Sequence, residues 1–237
     1  PSVGRFITRD TYTGESDEPL SLHLYTYCEN DGVNAWDPSG HTKESVINVH
    51  SVKKGKREAV LIKAGLELDV DGSPRAYAPD NKKYKPLDYL ENAKNGFGGW
   101  CGIYTKNGKP IKQKYGVYKG YYISTTALEN ERYDKDDTRR YVNSEKIPYI
   151  VNSRITRNKH IELGDICYVW NKKKKKGSYA IVADNGPSGK FGEGSIKLAK
   201  NIGVGLYMSS SGKYIGTNAD EGRNIQYIIF KKSRRKT

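Results

Sequence analysis

The chain has 237 residues, a formal net charge of +14 and a hydrophobic content of 35%, enough for one large domain or a small module joined to a domain of ordinary size. Nowhere does it approach the roughly 18 consecutive apolar residues that cross a bilayer, and it does not open on a charged-then-apolar signal peptide, so a soluble protein without a membrane span is expected. Tyr is abundant (19) and Phe scarce (4), which favours a β-rich domain with amphipathic aromatic surfaces.

The charge is unevenly distributed. Residues 1–41 carry Arg5 and Arg9 against seven acids, a net of −5, whereas the remainder holds 39 bases and 20 acids, a net of +19. Two regions of opposite sign imply two origins, and the basic one should be drawn to polyanions such as nucleic acid, anionic membrane or a bacterial wall. The chain begins at Pro1 and its single methionine is Met208, so it reads as the C-terminal piece of a longer polypeptide with any export signal upstream. Cys28, Cys101 and Cys167 show no CxxC spacing and form an odd set, which predicts three packed thiols rather than a disulfide framework or a zinc site.

In chain order, the opening segment alternates apolar and polar residues between turn signals and reads as short strands: Gly4 to Asp10, Leu20 to Tyr27, and Trp36 to His41. The words GRFITRD, LSLHLYTYCENDGVN and DPSGH within it resemble the end of the core in rearrangement-hotspot (Rhs) and related YD-repeat proteins. That resemblance implies a β-cocoon enclosing a C-terminal toxin, with self-cleavage just after His41. Asp37 and Asp10 would supply the acid chemistry, since two nearby carboxylates can share one proton. Read without the resemblance, Asp37-Pro-Ser-Gly is equally a turn. Where the family has Asn-Pro before the last strand, this chain has Asp31-Gly32.

Residues 42–59 read as a linker with little apolar periodicity. Val60 to Val70 alternates like a strand and runs into the turn signal Asp71-Gly-Ser-Pro74; Pro86 to Lys94 has helical spacing and stops at Asn95-Gly96. Strands are predicted at Tyr121 to Thr126, Ile147 to Val151, Ile166 to Trp170, Tyr179 to Ala183 and Ile225 to Phe230, with Lys172 to Lys176 at a hairpin tip. The expected fold is therefore mainly β (α+β), a small barrel of six strands with one or two short helices, over residues 60–237.

Asp184 follows the strand Tyr179 to Ala183, and a loop of three glycines and a proline separates it from Glu193. Beyond Glu193, residues 195–203 have the spacing of a short helix closed by glycine. A carboxylate at a strand's end thus faces one at a helix's start, an arrangement suited to glycosidic cleavage, which commonly uses one carboxylic acid and one carboxylate. Capping a turn is the competing role for this pair.

The surrounding words, YAIVADNGPSGKFGEGSIKLAKNIG, resemble the signature of glycoside hydrolase family 75, the fungal-type chitosanases. KAGLELDVDGSPRAYAPD, LDYLENA, GWCGIYTKNGKPIKQ, GYYISTTAL, the Tyr141 to Val151 run, LGD and YIIF are similar to bacterial members in the same order. The resemblance implies an inverting endo-glycosidase without a cofactor, its two essential acids falling on Asp184 and Glu193. Glu193 is the expected general acid and Asp184 the expected base, although the roles are exchangeable. Asp69 and Asp71 are candidates for a subsite or a second base, against an Asx turn. Ser124, Thr125 and Thr126 alternate faces, so a subset, Ser124 and Thr126, are candidates for hydrogen bonding to sugar hydroxyls, and Tyr77, Trp100 and Tyr122 are candidates for contact with sugar rings. Ala78 stands where relatives often carry His.

Together the two resemblances imply a secreted or envelope-delivered toxin of bacterial origin. Its expected partners are a polysaccharide, peptidoglycan or chitosan, a cognate immunity protein and the Rhs shell of its own precursor. The basic charge matches peptidoglycan with its anionic wall polymers, the family resemblance matches chitosan, and partly de-N-acetylated peptidoglycan satisfies both. A nuclease toxin is the rival reading, disfavoured because His23, His41, His50 and His160 form no HxH, HNH or other metal-ligand spacing. A non-catalytic glycan-binding tip is the third.

Overall fold

The computed structural model describes residues 35–36, 44–45, 49–80, 82–94, 98–186, 191–208, 214–215 and 224–234. The chain divides into two compact units, Pro1–Asn48 and Val49–Thr237. In the first, β1 (Ala35–Trp36) pairs antiparallel with β2 (Glu44–Ser45). Asp10, Asp37 and His41, expected to drive self-cleavage, lie outside the described residues, as does Cys28.

The second unit is mainly β. It consists of β3 (Val49–Lys54), β4 (Arg57–Ala64), β5 (Glu67–Asp69), the two-residue pair β6 (Thr105–Lys106) and β7 (Lys109–Pro110), β8 (Tyr149–Asn152), α1 (Arg154–Arg157), β9 (Ile166–Asn171), β10 (Lys176–Asn185), β11 (Glu193–Ser195), α2 (Ile196–Asn201), the pair β12 (Tyr207–Met208) and β13 (Tyr214–Ile215), and β14 (Ile225–Phe230). Eight of these strands form one sheet in the order β3-β4-β14-β9-β10-β8-β11-β5. No helix among the described residues is long and apolar enough to cross a membrane.

The alternation in β4, β9 and β14 has the expected consequence. Val60, Ile62, Cys167, Val169, Ile225, Tyr227 and Ile229 are all fully buried, while their neighbours along each strand are partly exposed. Burial holds the Cys167 thiol well above its ordinary pKa. Cys101, by contrast, is exposed, so the thiols are not uniformly packed. Lys172 to Lys175 form the turn between the antiparallel strands β9 and β10, as the hairpin reading anticipated.

β3, β4 and β5 give the sheet its shape. Only Gly65 and Leu66 separate β4 from β5, yet the two strands are six steps apart in the sheet order. Laid flat at about 4.8 Å per step they would stand about 29 Å apart, whereas three peptide units reach about 11 Å. The sheet must therefore curl. Contacts across the curl agree: the Phe191 and Tyr227 rings meet edge to face at 4.9 Å, Tyr227 donates a 2.6 Å hydrogen bond to the Gly65 carbonyl, and the Glu67 amide donates to the Gly192 carbonyl at 2.7 Å. Gly192, at φ +122°, is required here, since a methyl group on it would stand 2.7 Å from the Gly65 oxygen. The edge strands β3 and β5 share no ladder among the described residues.

Three expectations are corrected. Val49–Lys54, assigned to the linker, is an edge strand; its lysines and near-total exposure hide the period of two that its pairing with β4 creates. The expected helix over 86–94 is a single 3₁₀ turn at Leu90–Ala93, because the Asp88 carboxylate takes the Tyr89 amide at 2.7 Å and the Asn92 side chain at 2.8 Å instead of leaving the backbone to wind. Tyr121 to Thr126 is not a strand but carries two isolated bridges, Lys112 to Tyr122 and Ile103 to Ser124. There the Ser124 and Thr126 hydroxyls bond backbone groups that a ladder would have used.

Candidate active site

The curled sheet brings four carboxylates together: Asp69 at the end of β5 and Asp71 just beyond it, Asp184 near the end of β10, and Glu193 opening β11. β5 and β11 run parallel, with Asp69 opposite Ser195 and Glu67 opposite Glu193. β8 lies between β11 and β10. Glu193 is thus a strand residue, not the start of a helix. The helix α2 begins at Ile196, and its N-cap is Ser195, whose hydroxyl accepts from the Leu198 amide.

A β-bulge aims Asp184. The β10–β8 register shifts between Val182, opposite Ile150, and Asp184, opposite Val151, leaving Ala183 as the extra residue. The Ala183 carbonyl accepts the Leu128 amide at 2.8 Å. Asp184 Oδ1 in turn accepts the Ala127 amide at 3.0 Å and its own neighbour Asn185 at 2.8 Å. Glu193 folds toward the same place, with Oε2 3.0 Å from where a β-carbon on Gly186 would stand.

Asp69 and Asp71 are joined by an Asx turn, the Asp71 amide donating to Asp69 Oδ1 at 2.8 Å, so the bland reading of this pair holds together with its place in the cluster. Ser124 donates to Asp71 Oδ1 at 3.2 Å. Tyr77 hydrogen-bonds the Asp71 carboxylate, and the Tyr149 hydroxyl donates to the Asp71 carbonyl at 3.0 Å while standing near enough to the Asp69 carboxylate to favour its charged form. Burial first, then the nearby carboxylates, holds both phenols well above their ordinary pKa, so they remain donors.

Crowding of like charges in a desolvated place has the expected effect on the acids. Burial, then the Asp69 charge, raises Asp184 to about 8 against the pull of its two amide donors, and the Glu193 charge adds to the rise. Burial and the Asp184 charge raise Asp71 to about 7, offset by Tyr77 and Ser124. Asp69 is also raised, by burial and then by Asp71. One carboxylate oxygen from each of Asp69, Asp71 and Asp184 lies within 4.8 Å of the others, a spacing that suits either shared protons or a hard, oxygen-seeking cation.

Asp71 and Asp184 line an open cavity of about 460 Å³. Its wall includes Thr125 and Thr126 and, unanticipated from the sequence, Cys101, Glu129 and Lys135. Ser124 and Thr126 are buried and committed to internal hydrogen bonds, Ser124 to Asp71 and the Gly102 carbonyl, Thr126 to the Leu128 carbonyl and the Val142 amide. Both hydroxyls thus support the site, and Thr126 also lines the cavity. Tyr77 is likewise buried, bonds Asp71 and does not line this cavity. Trp100 and Tyr122 are half-buried, pack on the core around Leu87 and Ile103, and do not line this cavity. Comparison with known proteins finds no matching family model and no matching curated protein.

Proposed function

We propose that this domain is an endo-acting glycoside hydrolase that cleaves β-1,4 bonds of an amino-sugar polymer by an inverting, two-carboxylate mechanism. The observation that carries the reading is the placement of Asp184, on the wall of an open cavity and crowded by other carboxylates. With a pKa of about 8 it holds its proton at neutral pH on the wall of an open cavity, near enough to Glu193 for that charge to raise it. Asp184 is then the general acid, protonating the leaving oxygen, and Glu193 the base that activates water on the opposite side of the ring, the reverse of the roles first expected. Tyr77, Tyr149 and Ser124 hold Asp71 in place beside the acid.

The curled sheet fits this reading as a six-stranded barrel, with β4 and β5 acting as one bent strand that pairs with β14 at one end and β11 at the other. The charged groups lining the cavity are Asp71, Asp184, Glu129 and Lys135; at neutral pH Asp184 keeps its proton and Glu129 pairs with Arg140 at 2.6 Å, so the lining carries little net charge. The cavity therefore selects by charge neither a cationic nor an anionic polymer, and the substrate class is an amino-sugar glycan, chitosan-like or partly de-N-acetylated peptidoglycan. The Rhs-like words in residues 1–41 support delivery as a toxin to a target cell envelope, with an immunity partner in the producing cell.

The test is release of reducing ends from chitosan, chitin and purified peptidoglycan, with the anomer of the first product read by NMR. Inversion gives the α-anomer first; absence of product from all three polymers removes the proposal. A second reading, a metal-dependent nuclease, rests on the Asp69, Asp71 and Asp184 triad, whose oxygens lie within 4.8 Å of one another and could hold a cation. Cleavage of plasmid DNA or RNA in Mg²⁺, abolished by chelation, would favour it.

A further inference from the structure

A second cavity, of about 400 Å³, shares a loop with the first. The loop from Tyr133 to Arg140 gives Lys135 to the cavity of Asp71 and Asp184, and Asp134 and Asp136 to the second. It is pinned as a rigid partition. Arg140 donates to the Tyr133 carbonyl at 2.6 Å, Tyr141 donates to the Lys135 carbonyl at 2.9 Å, and the Arg139 guanidinium sits 4.5 Å over the Tyr133 ring while pairing with Asp137 at 2.6 Å. The opposite wall of the second cavity is the segment Lys112 to Tyr115.

Tyr115 is the anomaly there. It is 85% exposed, and Val117 two residues on is 92% exposed, whereas most large apolar side chains of this unit are buried or half-buried. A tyrosine face held open to water beside a cavity is a surface on which the apolar face of a pyranose ring can stack. Around it stand groups that bond a sugar's edge. Lys112 and Lys114 are donors, and Asp134 and Asp136 are acceptors that enter no ion pair among the described residues.

We propose that this cavity is a distal subsite for the same polymer, one pyranose stacking on Tyr115 and its amine and hydroxyls bonding Asp134 and Asp136, so that a long chain spans the partition loop and a short one occupies only the first cavity. The proposal rests on the amino-sugar reading of the site. It explains why the second cavity shares a fixed loop with the cavity of Asp71 and Asp184.

The experiment measures calorimetric binding of β-1,4-glucosamine dimers and hexamers to the Asp184→Asn chain, with and without Tyr115→Ala, beside reducing-end release by the unmodified protein. Tyr115→Ala should weaken hexamer binding about tenfold and leave dimer binding unchanged. Asp134→Asn with Asp136→Asn should reproduce the loss. Equal hexamer affinity with and without Tyr115, or no hexamer binding at all, overturns the subsite. If hexamers bind through Tyr115 and the unmodified protein releases no ends, the subsite stands and the hydrolase reading falls; if ends are released and Tyr115 is immaterial, the subsite alone falls.

Discussion

Asp71 lies directly against the α-carbon of Gly102: a methyl group there would stand 2.2 Å from Asp71 Oδ2 and 2.4 Å from Oδ1. Gly102 also has φ +64°, which disfavours a side chain independently of the contact. The carboxylate and the glycine therefore specify each other. Gly102→Ala is expected to cost about 1–3 kcal/mol of stability and to lower kcat at least tenfold, because Asp71 must move away from Ser124, Tyr77 and Asp184. Thermal unfolding and reducing-end release measure the two effects. An alanine variant with native activity would show that the placement of Asp71 is immaterial.

The raised acids make a prediction about stability with a definite sign. Asp184 has a folded pKa of about 8, above the ordinary value of 3.8, so between those limits the folded chain keeps a proton that the unfolded chain releases. Its contribution to stability is present below about pH 4 and is lost as pH rises through 8. Asp184→Asn removes this dependence while leaving an oxygen to accept the Ala127 and Asn185 amides. The variant should melt higher than the native chain at pH 8 and match it near pH 4. Calorimetric scans across that range check it, and a native-like decline of Tm in the variant would contradict it.

Strands buried on one face were legible in the sequence, and the contacts that assemble the site were not. Ile225–Phe230 emerges with the bounds that its alternation indicated, because every second residue faces the core. The Asp184 to Glu193 segment was legible as two acids flanking a glycine loop. Its third and fourth carboxylates were visible only as a turn, since Asp69 meets Asp184 through parallel pairing of β5 with β11, remote in the chain, and no local period encodes that. Tyr149 escaped for a related reason. In a strand buried at all four positions its hydroxyl looks like one more core aromatic, and only the fold brings the Asp71 carbonyl to it.

If Asp184 is the acid, hydrolysis should fall as pH rises through about 8, where it loses the proton it must give. Glu193→Gln should reduce kcat by a hundredfold or more with little change in KM, and azide should restore part of the rate by attacking in place of the activated water. A variant that keeps its rate would remove Glu193 from the chemistry. An alkaline limb that persists in Asp184→Asn would assign the titrating proton to Asp71 instead, whose pKa is about 7.

Arg75 and Glu145 anchor the turn that carries Asp71. The guanidinium grips the carboxylate through Nη2 at 2.7 Å and Nε at 3.1 Å, and the Ser73 hydroxyl adds a 2.8 Å bond. Both side chains are mostly withdrawn from water, at 27% and 20% exposure, so the pair is poorly screened. Burial pushes the Glu145 pKa up, but the hydrogen bonds from Arg75 and Ser73 outweigh it and hold the group below its ordinary 4.5. The stabilisation is therefore present at neutral pH and lost as pH falls through the folded pKa, opposite in sign to that of Asp184. Glu145→Ala should cost about 1–3 kcal/mol at pH 7, less in acid, and should impair hydrolysis by loosening the Asp69 to Asp71 turn. Unfolding at pH 7 and at pH 3 tests this, since an equal loss at both would assign the effect to packing rather than to the ion pair.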